Sequence, residues 1–196
     1  MLSLLMSVTL LATPTWTTAN STATGDQDTA AIATNRSGHV AVVWEDDRDT
    51  TAADDNAHSD IYLRLYRDGV SQYELKLSAG GTSGVAWRHL IPDVGVDDKG
   101  NAVVVWADFS GPLNVVEGTQ RLPSGAQTPV VRLSRPGWSA GLPAVAADAG
   151  GRAMAAWGET ESTANNRGPV VAAPVAVGSG FGENAVGEPN LGLVGP

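Results

Sequence analysis

The sequence predicts an all-β fold built from a repeated four-stranded unit. Three observations carry this prediction: a segment that recurs three times without a gap, a turn signature at the same place in each copy, and an apolar run that ends in tryptophan. Internal repeats decide the fold before local patterns do, because each copy is one supersecondary unit. The recurring segments are Ala30–Trp44, Pro92–Trp106 and Pro143–Trp157.

Each recurring segment is predicted to be a β-hairpin with a type I turn. The turn begins at Asn35, Asp97 or Asp148 and reaches a glycine three residues later. The Asn or Asp side-chain oxygen can accept a backbone N–H, and glycine tolerates the left-handed conformation that follows. The second strand, as in Ala102–Trp106, is apolar throughout. A short continuous apolar run indicates burial on both faces of the strand.

Two further strands complete each predicted unit, and the last of them is half exposed. In the first unit they alternate between apolar and polar residues on either side of the turn at Asp68–Gly69. Burial on both faces of the second strand favours stacked β-propeller blades over a two-layer sandwich, in which every strand would expose one face. The segments predicted for these strands are Ile61–Tyr66, Tyr73–Leu77, Val115–Leu122, Val130–Leu133 and Val170–Val177.

The predicted architecture is a partial β-propeller of about three four-stranded antiparallel blades. We expect blade one over 20–80, blade two over 81–135, blade three over 136–188, and the start of a fourth blade over 189–196. Closed propellers have roughly four to eight blades, so three and a fraction cannot close a ring. The chain is therefore expected either to belong to a longer protein with further blades or to complete the ring as a homo-oligomer.

The first residues predict a secreted, extracellular protein. Residues 1–19 combine a short apolar run with a small-residue site ending at Ala19, which is typical of a secretory signal peptide. No Lys or Arg precedes the apolar run. The alternative is a β-strand, since Val8, Leu10 and Trp16 are spaced like Val131, Leu133 and Trp138.

Composition excludes several classes of function. The formal net charge is −9, and an acidic surface repels phosphate backbones, which argues against nucleic acid as a partner. Cysteine is absent, so there are no disulfides or thiolate metal sites. No stretch is apolar for long enough to span a bilayer as a helix, so no membrane span is expected.

An acidic segment, Glu45–Asp60, is predicted to be the longest loop on the face that carries the loops after the second strands and the links between blades. Calcium takes roughly six to eight oxygen ligands, which clustered carboxylates supply. The ordered spacing of an EF-hand is missing, so a solvated acidic loop is the alternative, and no other cofactor is expected. The candidate metal ligands are Asp46, Asp47, Asp54, Asp55 and Asp60.

Two tryptophans and one histidine are the candidate ligand-binding residues. Trp87 and Trp138 occupy the same repeat position on the links between blades, and His89 can reach the same face. Aromatic rings bind the apolar faces of sugars, but they also seal packed interfaces, so packing is the alternative role.

The pattern P-x-V-x-x-D-x-x-G-x-x-V-V-x-W-x-D, from Pro92 to Asp108, resembles the blade repeats of secreted bacterial propellers of the sialidase-like type. The resemblance implies blades without a catalytic match, since the arginine triad and Tyr/Glu pair of catalytic sialidases have no counterpart that can be placed here. We therefore expect a non-catalytic extracellular module that binds glycan or protein through one loop face. The alternatives are a fragment of a sialidase-like glycoside hydrolase with its catalytic residues in missing blades, and a structural surface repeat without ligand.

Overall fold

The computed structural model describes residues 17–49, 58–78, 87–161, 168–178 and 181. These residues form an all-β structure, as the repeat predicts. The strands are β1 (Gln27–Thr34), β2 (His39–Asp46), β3 (His58–Arg67), β4 (Val70–Lys76), β5 (Trp87–Val96), β6 (Ala102–Asp108), β7 (Val115–Arg121), β8 (Val131–Arg132), β9 (Ser139–Ala147), β10 (Arg152–Thr160) and β11 (Val170–Ala176). The described residues contain no helix long and apolar enough to cross a membrane.

The strands form three antiparallel sheets, which we call blades one, two and three. Strands β1–β4 make blade one and β5–β8 make blade two, each as a meander of neighbouring strands. Blade three contains β9–β11, so three of its four predicted strands are present in the described residues. A two-residue parallel bridge joins His58 and Ser59 of β3 to Trp87 and Arg88 of β5. The predicted start of a fourth blade and most of the predicted signal peptide lie outside the described residues.

The hairpin turns have the predicted chemistry. The side-chain oxygen of Asp97 accepts hydrogen bonds from the backbone N–H groups of Lys99 (3.0 Å) and Asn101 (2.8 Å). Asn35 and Asp148 accept the equivalent pairs of bonds in the other two blades. The turn glycines that follow have φ between 84° and 87°, the left-handed region that lacks a steric penalty only for glycine.

The blades stack face to face through two apolar cores. The core between blades one and two is built from β2, β3, β5 and β6, and the core between blades two and three from β6, β7, β9, β10 and β11. Strand β6 contributes to both, because Val104 and Trp106 point into the first core while Val103 and Val105 point into the second. These four side chains are 0% exposed. Strand β6 is therefore covered on both faces, as its continuous apolar sequence predicts.

The expectation that the second strand of every unit is covered on both faces is wrong for blade three. Strand β10 alternates between buried and exposed residues, and Met154 is 50% exposed. Strand β2 is intermediate, with Val40 and Val42 half-buried. The physical reason is position in the stack, because blade three has a neighbouring sheet on one face only among the described residues. The outward face of blade three is apolar and is formed by Leu142, Ala144, Ala146, Met154, Ala156, Ala172 and Pro174.

The first strand of every blade is interrupted by a bulge at the same repeat position. Thr29, Ile91 and Leu142 have φ of 44°, 57° and 54° and precede the aligned residues Ala30, Pro92 and Pro143. The antiparallel register shifts at each of these places. Positive φ is an outlier for β-branched residues such as Thr29 and Ile91, and bulges redirect the side chains beside them. The bulges place the first residues of β1 and β5 around a cleft.

Candidate functional site

A shallow, open cleft with about 40 Å³ of enclosed space lies where the loop ends of blades one and two meet. Its composition is strongly acidic, and the one cation among its lining residues is Arg88. Asp26, Asp28 and Arg88 are exposed at its rim, while Glu45, Asp46, Asp47 and Ser59 are buried. We call this the acidic cleft. Its lining residues are Asp26, Asp28, Glu45, Asp46, Asp47, Ser59, Arg88 and Leu90.

Four strands position the walls of the acidic cleft. Asp28 on β1 lies directly across the antiparallel ladder from Glu45 on β2. Ser59 is the second residue of β3 in the same blade, and the parallel bridge aligns it with Arg88 of blade two. Because these residues sit on hydrogen-bonded strands, the cleft is a rigid feature of the scaffold rather than of a loop.

Glu45 connects the acidic cleft to the strained bulge of blade two. One of its carboxylate oxygens accepts the backbone N–H of Ile91 at 2.6 Å. Burial raises the pKa of Glu45, and the negative charge of Asp28 raises it further. The hydrogen bond from the Ile91 N–H lowers the pKa but does not cancel these two effects. The cleft therefore places a carboxyl group that holds its proton more tightly than usual beside the exposed carboxylate of Asp28.

The structure places three of the predicted metal ligands, and all three already have hydrogen-bond or ionic partners. Asp46 belongs to the end of β2 rather than to a loop, and its carboxylate accepts from Trp44 Nε1 (2.7 Å) and Arg48 Nε (2.8 Å). Asp47 accepts the backbone N–H of Asp26. Asp54 and Asp55 lie outside the described residues, so a calcium site in the acidic segment stays a prediction.

Asp60, the remaining candidate, is a strand residue directly opposite Asp46. Its carboxylate accepts from Ser78 Oγ (2.7 Å) and Trp87 Nε1 (3.2 Å) and pairs with Lys76 (2.5 Å). Burial opposes ionisation of this group. The interactions with His89, Lys76 and Ser78 outweigh burial and lower the pKa of Asp60 to about 2.

The two candidate tryptophans are half-buried and lie in different surroundings. Trp87 packs edge-on against the imidazole of His58, with ring centroids 4.1 Å apart. Trp138 lies in the link before β9, where the Arg135 guanidinium sits 3.9 Å from its ring centroid. Neither tryptophan is among the residues that line the acidic cleft, although Trp87 directly precedes Arg88, which does line it.

His89 is buried behind the cleft wall and lies with two carboxylates that the sequence reasoning missed. A ring nitrogen of His89 and one carboxylate oxygen from each of Asp108 and Glu117 all lie within 4.8 Å of one another. Burial raises the pKa of Glu117, and the charge of Asp108 adds to this effect. Burial lowers the pKa of His89, but its contact with Asp60 and the charges of Asp108 and Glu117 outweigh burial and raise it.

The repeat itself marks the position of Asp108 as one that carries an acidic residue. An acidic residue stands two positions after the strand-ending tryptophan in every copy, as Asp46, Asp108 and Glu159. The carboxylates of Asp46 and Glu159 accept the indole N–H of their own tryptophan and pair with an arginine. Glu117 has no such repeat signal, because it comes from the less regular third strand.

Comparison with known proteins shows the fold alone. No family model matches the sequence, and no curated protein matches it. The Hadza microbial sialidase Hz136 is similar in structure, with a TM-score of 0.52 and 13% identity over 68% of this chain and 32% of the sialidase. An endo-arabinase from Bacteroides thetaiotaomicron has a TM-score of 0.47 and 15% identity over 76% of this chain and 56% of the arabinase.

The protein is thus a partial β-propeller whose fold resembles that of propeller glycoside hydrolases. The chain spans about a third of the length of the sialidase and little more than half of the arabinase.

Proposed function

We propose that this chain is a non-catalytic, exported propeller module that binds a glycan in the acidic cleft. The observation that carries the proposal is that exposed carboxylates and an exposed guanidinium line the rim of one cleft, at Asp26, Asp28 and Arg88. Binding sites on rigid β scaffolds gather at such loop ends.

The chemistry of the rim suits a polyhydroxylated ligand. Carboxylates accept hydrogen bonds from sugar hydroxyls, and a guanidinium supplies several donors in a fixed plane. Leu90, two residues after Arg88 on β5, also lines the cleft and offers an apolar surface for the face of a sugar ring.

Charge narrows the class of glycan. Five carboxylic residues line the acidic cleft against Arg88 alone, and Arg48 compensates one of them, Asp46. A cleft of this sign repels anionic ligands through the low-dielectric walls that focus its field. We therefore expect neutral or amino-sugar glycans to bind and sialylated or sulfated glycans to be rejected.

A glycan array followed by calorimetric titration tests the proposal. Asp28→Asn and Arg88→Ala should each weaken binding of the retained glycan by about tenfold, the effect of losing roughly one charge-assisted hydrogen bond. Asp68→Asn is the matched control, because Asp68 lies in the turn at the opposite end of blade one with its side chain 75% exposed. Retention of no glycan, or equal weakening by Asp68→Asn, would contradict the proposal and favour a structural repeat without ligand.

The alternative is a fragment of a sialidase-like glycoside hydrolase. In that case the catalytic residues lie in blades outside this chain, and the likeness in fold to a sialidase supports it. Turnover of a chromogenic glycoside by the protein with its further blades would establish the enzyme, and binding without turnover would favour the module.

A further inference from the structure

We propose that His89, Asp108 and Glu117 form a site for a divalent transition-metal ion in the seam between blades one and two. The three ligand atoms lie within 4.8 Å of one another. The centre of a triangle of that size is at most about 2.8 Å from each corner, so small side-chain adjustments reach metal–ligand bond lengths of about 2.0–2.3 Å. The proposal stands apart from glycan binding, because none of these residues lines the acidic cleft.

Three adjacent strands of blade two hold the three ligands. His89 on β5 lies directly across the ladder from Asp108 on β6. Glu117 on β7 lies across from Trp106, two residues before Asp108 on the same face. A site on three hydrogen-bonded strands is preformed, so little ordering is needed when an ion binds.

A backbone contact of His89 selects the tautomer of its neutral ring. His89 is 6% exposed, and its Nδ1 lies 3.2 Å from the backbone carbonyl oxygen of Ser59. A carbonyl oxygen only accepts, so Nδ1 carries the hydrogen and the lone pair of the neutral ring is on Nε2. A backbone carbonyl that fixes the tautomer in this way is the usual support of a metal-binding histidine.

Comparison of the three blades supplies an independent observation. In blades one and three, arginines neutralise the carboxylate that follows the strand-ending tryptophan: Arg48 pairs with Asp46 and Arg135 with Glu159. In blade two, Asp108 has no Lys or Arg partner in the part of the chain that is described. The repeat thus places a cation at this position twice and lacks one at the third.

The indole of blade two is also turned to a different acceptor. Trp106 donates its N–H to Glu117 at 3.1 Å instead of to Asp108. One oxygen of Asp108 accepts the backbone N–H of Ser110 at 2.8 Å, which leaves its other oxygen for an ion. Two half-buried carboxylates therefore face His89, and neither forms an ion pair with a Lys or Arg among the described residues. Arg132 lies opposite Glu117 on the ladder, and its charge only partly offsets the effects that raise the pKa of Glu117.

The donor set indicates the class of ion. One imidazole nitrogen and two carboxylates suit Zn²⁺ or Mn²⁺, whereas Ca²⁺ takes oxygen ligands only. Two anionic ligands and one neutral ligand match the charge of a divalent ion, and water would complete the coordination.

Calorimetric titration of the chelator-treated full chain with Zn²⁺, Mn²⁺ and Ca²⁺ tests the proposal, with thermal unfolding as the second readout. We expect saturable binding of one Zn²⁺ or Mn²⁺ and a higher Tm, with Ca²⁺ weaker. Asp108→Asn and Glu117→Gln should each weaken binding at least tenfold, and Asp68→Asn should leave it unchanged. Absence of heat and of a Tm shift would overturn the site and leave His89 as the partner of the two carboxylates.

A spectroscopic measurement keeps the test valid if a variant folds poorly. The spin-echo spectrum of Mn²⁺ bound to the wild-type chain should show coupling to an imidazole nitrogen, and His89→Gln should remove it. Binding without nitrogen coupling, or binding that survives in the double variant Asp108→Asn/Glu117→Gln, would place the ion elsewhere, such as in the acidic segment, and overturn the proposal.

Discussion

The indole N–H of Trp157 donates a hydrogen bond of 2.8 Å to the carboxylate of Glu159, two residues further along the same strand. Glu159 is 1% exposed, and its carboxylate also accepts the backbone N–H of Arg135 at 2.9 Å and pairs with the Arg135 guanidinium. A single buried carboxylate thus joins the second strand of blade three to the link that enters the blade.

Removing that carboxylate should destabilise blade three. Glu159→Ala is expected to lower the free energy of unfolding by about 3 kcal/mol, because it leaves a buried indole N–H and a guanidinium without their acceptor. Glu159→Gln should cost roughly half as much, since its amide oxygen can still accept from Trp157. Urea unfolding of the two variants measures the difference, and equal losses would show that the charge matters more than the indole bond.

A turn glycine of blade two should tolerate no side chain. Gly100 has φ of 85°, and a Cβ there would lie 2.7 Å from the imidazole of His39 in blade one. Gly100→Ala is therefore expected to cost about 2–3 kcal/mol, from backbone strain and the clash together. Gly125→Ala is the matched control, because Gly125 has φ of 83° with nothing within 4 Å. Its cost should be about 1 kcal/mol, and the difference in denaturant midpoint reports the contact between blades.

Two aligned positions should respond differently to the same truncation. Val103 and Met154 occupy the same place in blades two and three, but Val103 is 0% exposed and Met154 is 50% exposed. Val103→Ala should cost about 1–2 kcal/mol through the cavity it leaves, and Met154→Ala less than about 0.5 kcal/mol. Chemical denaturation compares them. A larger loss for Met154→Ala would show that another surface covers the outward face of blade three in solution.

Acid should destabilise the seam between blades one and two through Asp60. The folded pKa of this carboxyl is about 2, below the reference value of 3.8, so its stabilisation is complete above the reference value and is lost as pH falls towards 2. The shift corresponds to about 2 kcal/mol. Asp60→Asn should lose about that much at neutral pH and show a flatter stability curve between pH 4 and 2. Thermal unfolding between pH 4 and 2 measures this difference. The control Asp68→Asn is expected to lose stability with falling pH as the wild type does.

The sequence was sufficient for the hairpins because their determinants are local. The side-chain oxygen of Asp97 and the positive φ of Gly100 lie within the same short turn, so the amino acids of the turn are enough to predict it. The continuous apolar run of β6 likewise predicts burial on both faces, which the structure confirms. The same logic failed for β10, because burial depends on a neighbouring sheet that no residue of the strand encodes.

The candidate site, too, could be predicted from the sequence only in part. Residue types alone pointed to an acidic, loop-end site and to His89, since charge and repeat position can be read directly from the chain. Tertiary structure decided which carboxylates form ion pairs with Lys or Arg. Arg48 and Lys76 pair with Asp46 and Asp60, whereas Asp108 and Glu117 meet His89 and form no such pair among the described residues. The reason is physical, because the energy of a charge depends on distances between side chains from different strands, and the pairing of strands fixes those distances.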